Sequence, residues 1–211
     1  MEHHIIESII DFKDFIQYID DNNLLNAQVS IKNGSYLIQF DDHEDFTILM
    51  DKFSSNERTD IVKFFDYCVH ESSLELQKSN IRIHMESDLK EVEYVMLDRE
   101  RMRRVIINII DNSRKYMDKD HGDITIMLRE TNSSIITEIR DNGPGIDKND
   151  INKIFDRFYR ADIARSETKG SGLGLAISKQ IVEGHKGKIW AISHENSGTS
   201  IIISLAKTSH E

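Results

Sequence analysis

The chain has 211 residues, 38% of them hydrophobic and 30% charged, which is ordinary for a globular protein and leaves room for one large or two small domains. Its formal net charge of -10 argues against broad nucleic-acid binding, which needs an extended surface rich in Lys and Arg; an anionic ligand therefore has to be held by local features. No apolar run reaches the length of a bilayer crossing, and Met1-Glu2-His3-His4-Ile5 lacks the basic and apolar regions of a signal peptide, so the expectation is a cytoplasmic protein with no membrane span.

In chain order, Ile5, Ile9, Phe12, Phe15, Ile16 and Ile19 recur at helical spacing over residues 4–20. Val29, Ile31, Tyr36, Ile38 and Phe40 then fall on one face of two strands joined by Asn33-Gly34, a dipeptide suited to a type I′ turn. A second helix is expected over Phe46 to Phe53, and Ser54-Ser55-Asn56-Glu57 reads as a seam. Residues 1–56 thus form a helix, hairpin, helix segment, and residues 57–211 a second domain. There the pattern predicts a helix over 60–78, strands at Ile81 to Met85 and Glu93 to Leu97, and a helix from Asp98 to about Met117. Strands follow at Asp123 to Glu130 and Ser134 to Arg140, then a helix from about Leu173 to Glu183 and a closing hairpin of Lys188 to His194 with Thr199 to Leu205. This is an α+β chain whose larger part is a two-layer α/β sandwich, helices on one side of a mixed sheet. The single Cys68 cannot form an internal disulfide and reads as a small buried side chain.

Three stretches carry candidate chemistry. In the helix after Asp98, Val105, Ile106, Ile109 and Ile110 make a core-facing stripe while Asn108, Asn112 and Lys115 share another face. Two amides and an ammonium suit a metal-bound phosphate, although a solvated face would look the same. Asp141-Asn142-Gly143-Pro144-Gly145 follows a predicted strand: a carboxylate at a strand end can accept a hydrogen bond from an exocyclic amine, and Gly143 and Gly145 can adopt positive φ, yet a plain turn has the same residues. Gly170-Ser171-Gly172-Leu173-Gly174 opens a helix, where free backbone amides form an anion site. It lacks the Lys-Ser/Thr ending and the leading strand of a Walker loop.

Taken in order, the Asn-rich helix, Asp141 to Gly145, Ile154-Phe155-Asp156-Arg157-Phe158-Tyr159-Arg160, the Gly170 to Ile177 loop and Ser197-Gly198-Thr199 resemble the N, G1, F, G2 and G3 boxes of histidine-kinase catalytic domains. The resemblance spans about residues 58–208 and implies the Bergerat ATP-binding fold. It implies ATP and Mg2+ as cofactors, with Asn112 as metal ligand, Asn108 beside it in a catalytic role, Lys115 on phosphate and Tyr116 packed on the adenine. Asp141 would read the adenine amine, with Gly143, Gly145 and Thr199 around the nucleotide and the backbone of Gly170, Gly172, Leu173 and Gly174 holding phosphates. The segment from Tyr159 to Lys169 would be an ATP lid delivering Arg160 to the γ-phosphate, anchored by Phe155 and Phe158, with Arg165 and Lys169 as solvated charges. Trp190 reads as strand packing and His185 as a surface or capping residue.

The family's phosphoacceptor box, a His followed by an acidic residue and a nearby Pro, has no clear counterpart: His4 precedes Ile5, and His43 precedes Glu44 without the Pro. The expected activity is a histidine protein kinase passing the γ-phosphate of ATP to a histidine in cis or on a separate acceptor domain, and thence to a response-regulator receiver domain. A nucleotide-dependent regulatory module without phosphotransfer and an anti-sigma-type serine kinase are the alternatives. Dimerisation, which in this family depends on the helical hairpin bearing the acceptor, stays open.

Overall fold

The computed structural model describes residues 2–6, 28–32, 35–40, 56–159, 172–193 and 197–208. The chain divides into two compact units, Met1–Ser54 and Ser55–Glu211. In the first, β1 (Glu2–Ile6), β2 (Gln28–Lys32) and β3 (Ser35–Phe40) form an antiparallel sheet in the order β1-β3-β2. Lys32 pairs with Ser35, the register that a two-residue Asn33-Gly34 connection imposes. The helix expected over 4–20 is overturned at its start: Ile5 and Ile6 pair with Leu37 and Tyr36 of β3. β-branched residues beside an available partner strand favour extended backbone over a helical turn. The rest of that expected helix, and the helix over 46–53, lie outside the described residues.

The second unit contains β4 (Glu57–Asp60), α1 (Ile61–Lys78), β5 (Ile81–Ser87), β6 (Tyr94–Leu97), α2 (Arg99–Tyr116), β7 (Gly122–Glu130), β8 (Ser134–Asp141), α3 (Gly174–Gly184), β9 (Lys188–Ser193) and β10 (Thr199–Ala206). Its main sheet runs β5-β7-β8-β10-β9, with β5 parallel to β7 and all other neighbours antiparallel. Strand alternation sends Ile124, Ile126 and Leu128 of β7, Ile135 and Ile139 of β8, and Ile201 and Ile203 of β10 into one core with the helices. Thr125, Met127, Glu138 and Arg140 take the opposite face, half-buried or exposed.

Helices α1 and α2 begin and pack for local reasons. Asp60 and Asp98 are the N-caps of α1 and α2, their carboxylates accepting the Lys63 and Arg101 amides at 3.1 Å. The buried stripes, Ile61, Phe64, Phe65, Cys68 and Leu76 in α1 and Met102, Val105, Ile106, Ile109 and Ile110 in α2, recur at the three- and four-residue spacing of one helical face. Phe64 and Phe65 meet edge to face at 5.4 Å. The element missing from the sequence reading is β4, which pairs with β6 in a separate ribbon, Glu57 opposite Leu97 and Asp60 opposite Tyr94. Glu-Arg-Thr-Asp has no apolar alternation; its extended form is dictated by the partner strand and by Arg58 stacked 3.7 Å over the Tyr94 ring.

Cys68 is fully buried in this core, and burial pushes its thiol up to about 12. A chromogenic disulfide reagent at pH 8 should leave the native chain unmodified for hours and titrate one thiol once denaturant is added.

Candidate active site

The polar face of α2 meets two other segments. Near its middle, half-buried Asn108 donates from Nδ2 to Ser178 Oγ of α3 at 3.0 Å, and Ser178 Oγ donates to the Gly174 carbonyl at 3.0 Å. A methyl group on Gly174 would overlap the Asn108 amide, so glycine is what lets the start of α3 approach α2. One turn on, Ser113 Oγ donates to Asp141 Oδ2 at 2.9 Å, fixing the carboxylate at the end of β8. The other oxygen, Oδ1, accepts the backbone amides of Gly143 at 3.0 Å and Thr199 at 3.1 Å. With at most one bond on Oδ2 from this set, that oxygen keeps acceptor capacity for an incoming N–H.

Around Asp141 the β9–β10 hairpin closes the site. Gly198, at φ 83°, lies so tight against the Asp141 carbonyl that no side chain fits there. Ser193 Oγ accepts the Ile146 amide at 2.8 Å and donates to the Gly198 carbonyl at 2.8 Å. Its one proton being spent, Thr199 Oγ1 is the donor in their 3.0 Å contact. Of the two glycines expected at positive φ, Gly145 has it, at 79°; Gly143 does not, and its place follows from the hydrogen bond its amide donates to Asp141 Oδ1.

The two ends of the expected lid are adjacent. The Phe158 amide donates to the Gly172 carbonyl at 3.0 Å, with both residues at positive φ. Phe155 packs against the core, but Phe158 is 69% exposed and is no anchor: the backbone bond to Gly172 turns its side chain to the surface. Arg160, Arg165, Lys169 and Gly170 lie outside the described residues. Asn112 is half-buried, Lys115 exposed and Tyr116 43% exposed at the end of α2, with the Tyr116 carbonyl 3.8 Å from where a Gly143 Cβ would stand. Asp141, Gly143, Thr199 and Tyr116 are thus brought together, and Asn108 joins Gly174; Leu173 precedes α3 as its N-cap. Two open clefts of about 580 and 410 Å³ elsewhere contain none of these residues.

Sequence reasoning missed Ser113, Ser178 and Ser193, whose hydroxyls carry no pattern until their partners are known. His185 caps α3 as expected and does more. Its Nε2 accepts the Asp98 amide at 2.9 Å and its Nδ1–H donates to the Ile181 carbonyl at 2.7 Å, a tautomer forced by a backbone N–H that can only donate. Trp190 sits opposite Ile202 on an edge strand, partly exposed.

Residues 97–209, more than half of the chain, match the family model described as "Histidine kinase-, DNA gyrase B-, and HSP90-like ATPase". The chain belongs to that family. Among curated members it is 43% identical over 114 residues to the sensor histidine kinase WalK of Bacillus subtilis (strain 168), covering 53% of this chain and 19% of WalK. It is 45% identical over 118 residues to the sensor protein kinase WalK of Staphylococcus aureus, covering 55% of this chain and 28% of the relative. The matched segment thus spans between about a fifth and just over a quarter of the lengths of these relatives. The catalytic domain of the histidine kinase ThkA superposes with a TM-score of 0.63 at 28% identity, over 73% of this chain and 97% of ThkA's domain. The mycobacterial sensor histidine kinase MprB does so at 0.61 and 26%, over 74% and 99%. The fold of this family member is therefore that of histidine-kinase ATPase domains, and among the described residues no helix is long and apolar enough to cross a membrane.

Within this ATPase fold, burial holds the His185 imidazole below its ordinary pKa of 6.5, aided by Arg101 and opposed by the Ile181 hydrogen bond and Asp98. Its unfolded form takes up the proton at higher pH, so its stabilising contribution is complete above about pH 6.5 and is lost as pH falls below that. Melting temperature should drop more steeply from pH 7.5 to 5.5 in the unaltered chain than in His185→Gln; equal slopes would remove His185 as the cause.

Proposed function

We propose that this chain is the ATP-binding catalytic part of a histidine protein kinase in a two-component phosphorelay. It binds ATP with Mg2+ and transfers the γ-phosphoryl group to a histidine imidazole, in cis or on a separate acceptor domain, for onward passage to a response-regulator receiver domain. The observation that carries the reading is Asp141. Its carboxylate is immobilised at a strand end by three donors, with acceptor capacity left on Oδ2, beside the polar face of a helix bearing Asn108, Asn112 and Lys115. A fixed acceptor of this kind suits the exocyclic amine of adenine. The names of the curated relatives support the activity. ThkA has also been solved in complex with the response regulator protein TrrA, a structure that this chain resembles in fold at 20% identity.

The donor set suits Mg2+. Asn112 offers a neutral, hard amide oxygen, and among the described residues no group of three His, Cys, Asp or Glu side chains could cage the ion, so nucleotide phosphates and water would fill most of its shell. Bound there, Mg2+ would neutralise phosphate charge. The chain's own work is to orient: Asp141 holds the base, Tyr116 covers it, and the backbone at Gly172, Leu173 and Gly174 presents amides to the phosphates at the start of α3. Lys115, and Arg160 from the lid, bring positive charge to the γ-phosphoryl group as its bond to ADP breaks and a nitrogen–phosphorus bond forms.

Incubation with Mg2+ and γ-labelled ATP should give protein-bound label that is acid-labile and alkali-stable, the signature of phosphohistidine. Mapping it would distinguish His4, His43 and other acceptors. ATP binding without label in this chain, but with label on an added acceptor domain, would place the acceptor elsewhere. ATP binding with label on neither would favour the regulatory module, and acid-stable label the serine kinase. Asn112→Asp should fold normally and bind Mg-ATP at least about tenfold more weakly; unchanged affinity in calorimetry would remove Asn112 from the metal site.

A further inference from the structure

We infer that Ser178 is a positioning residue for the triphosphate, acting through Asn108, and that Asn108 serves as a spacer between helices rather than as a group in the chemistry. The inference rests on the nucleotide reading above. Ser178 is 1% exposed on the face of α3 that also buries Ile181 and Val182. A hydroxyl in such a place must find partners. Donation to the Gly174 carbonyl, one turn earlier, uses its proton, and Asn108 Nδ2 uses a lone pair. The Asn108 amide is thereby fully oriented: its NH2 group faces Ser178 and its oxygen lies against Gly174, where no Cβ fits.

What this contact sets is the position of the start of α3 relative to α2. The first amides of α3 have no partner within the helix and sit at the positive end of its dipole. Asn112 lies one turn beyond Asn108 on α2. At the opposite end of the same helix pair, His185 holds the Asp98 amide, so α3 is tied to α2 at both ends. Asp141, Gly143 and Thr199, on the adenine side, share no hydrogen bond with Ser178 or Asn108. Loosening the contact should therefore be felt by the phosphates and not by the base.

The test compares Mg-ATP binding by calorimetry with adenosine binding by NMR titration, which reaches weak affinities, for the full chain and for Ser178→Ala, Asn108→Ala and their combination. Each single substitution should weaken Mg-ATP about tenfold, the scale of one buried hydrogen bond, and leave adenosine unchanged. The double variant should be no worse than the more affected single one, because both remove the same contact. Ser178→Thr, which keeps the hydroxyl, should restore Mg-ATP binding. Ser178→Cys, which keeps the size of the side chain but hydrogen-bonds only weakly, provides a second arm with the same expected selective loss, should Ser178→Ala not fold. Unaltered Mg-ATP affinity in Ser178→Ala or Ser178→Cys, parallel loss of both ligands, or additive losses in the double variant would overturn the positioning role. Failure of the unaltered chain to bind either ligand would instead overturn the nucleotide reading, and this inference with it.

Discussion

Helix α2 has to be apolar on one side and polar on the other, and the organisation of the second unit follows from that constraint. Met102, Val105, Ile106, Ile109 and Ile110 are buried to within a few percent of complete exclusion from water, and each such side chain contributes roughly 1.5–3 kcal/mol of burial free energy. That stripe fixes the rotation of the helix over the sheet. Once it is fixed, the other face is no longer free to choose its neighbours. Asn108 meets α3, and Ser113 meets the end of β8.

The polar contacts on that face are few but placed where several segments converge. Asp141 accepts hydrogen bonds from α2, from the turn that follows its own strand and from the first residue of β10. Through these bonds of 2.9, 3.0 and 3.1 Å, one carboxylate ties together three stretches of chain that are far apart in sequence. Gly198 makes this junction feasible by lying directly on the Asp141 carbonyl, where no side chain fits. The hairpin is thus part of the site and not merely the edge of the sheet.

A net charge of -10 argues against a broad positive surface as the means of holding a triphosphate. The function proposed above calls for a local solution, in which amides at the start of α3 and a small number of cations would hold the phosphates. Such a device depends on distance far more than a charged surface does, since the helix-terminal field falls off within a turn. On the positioning role inferred for Ser178, that dependence links the packing between α2 and α3 to the residues that would touch the nucleotide.

Much of this was legible in the sequence, and the reason is periodicity. The stripes of α1 and α2, the alternating isoleucines of β7, β8 and β10, and the Asn33-Gly34 connection report local geometry, and the order of five short motifs reports the family. Asp141 was legible as a strand-end carboxylate, and Cys68 as a core residue. What the sequence by itself did not determine was everything decided by a partner distant along the chain. Glu2–Ile6 followed its neighbour strand instead of its own helical spacing, and Glu57–Asp60 became a strand because β6 was there to pair with it. Ser113, Ser178, Ser193 and His185 acquired roles only when folding brought Asp141, Asn108, Gly198 and the Asp98 amide within 3 Å. A hydroxyl or an imidazole has no preferred periodicity; its meaning lies in the direction of one hydrogen bond, and that direction exists only in the tertiary structure.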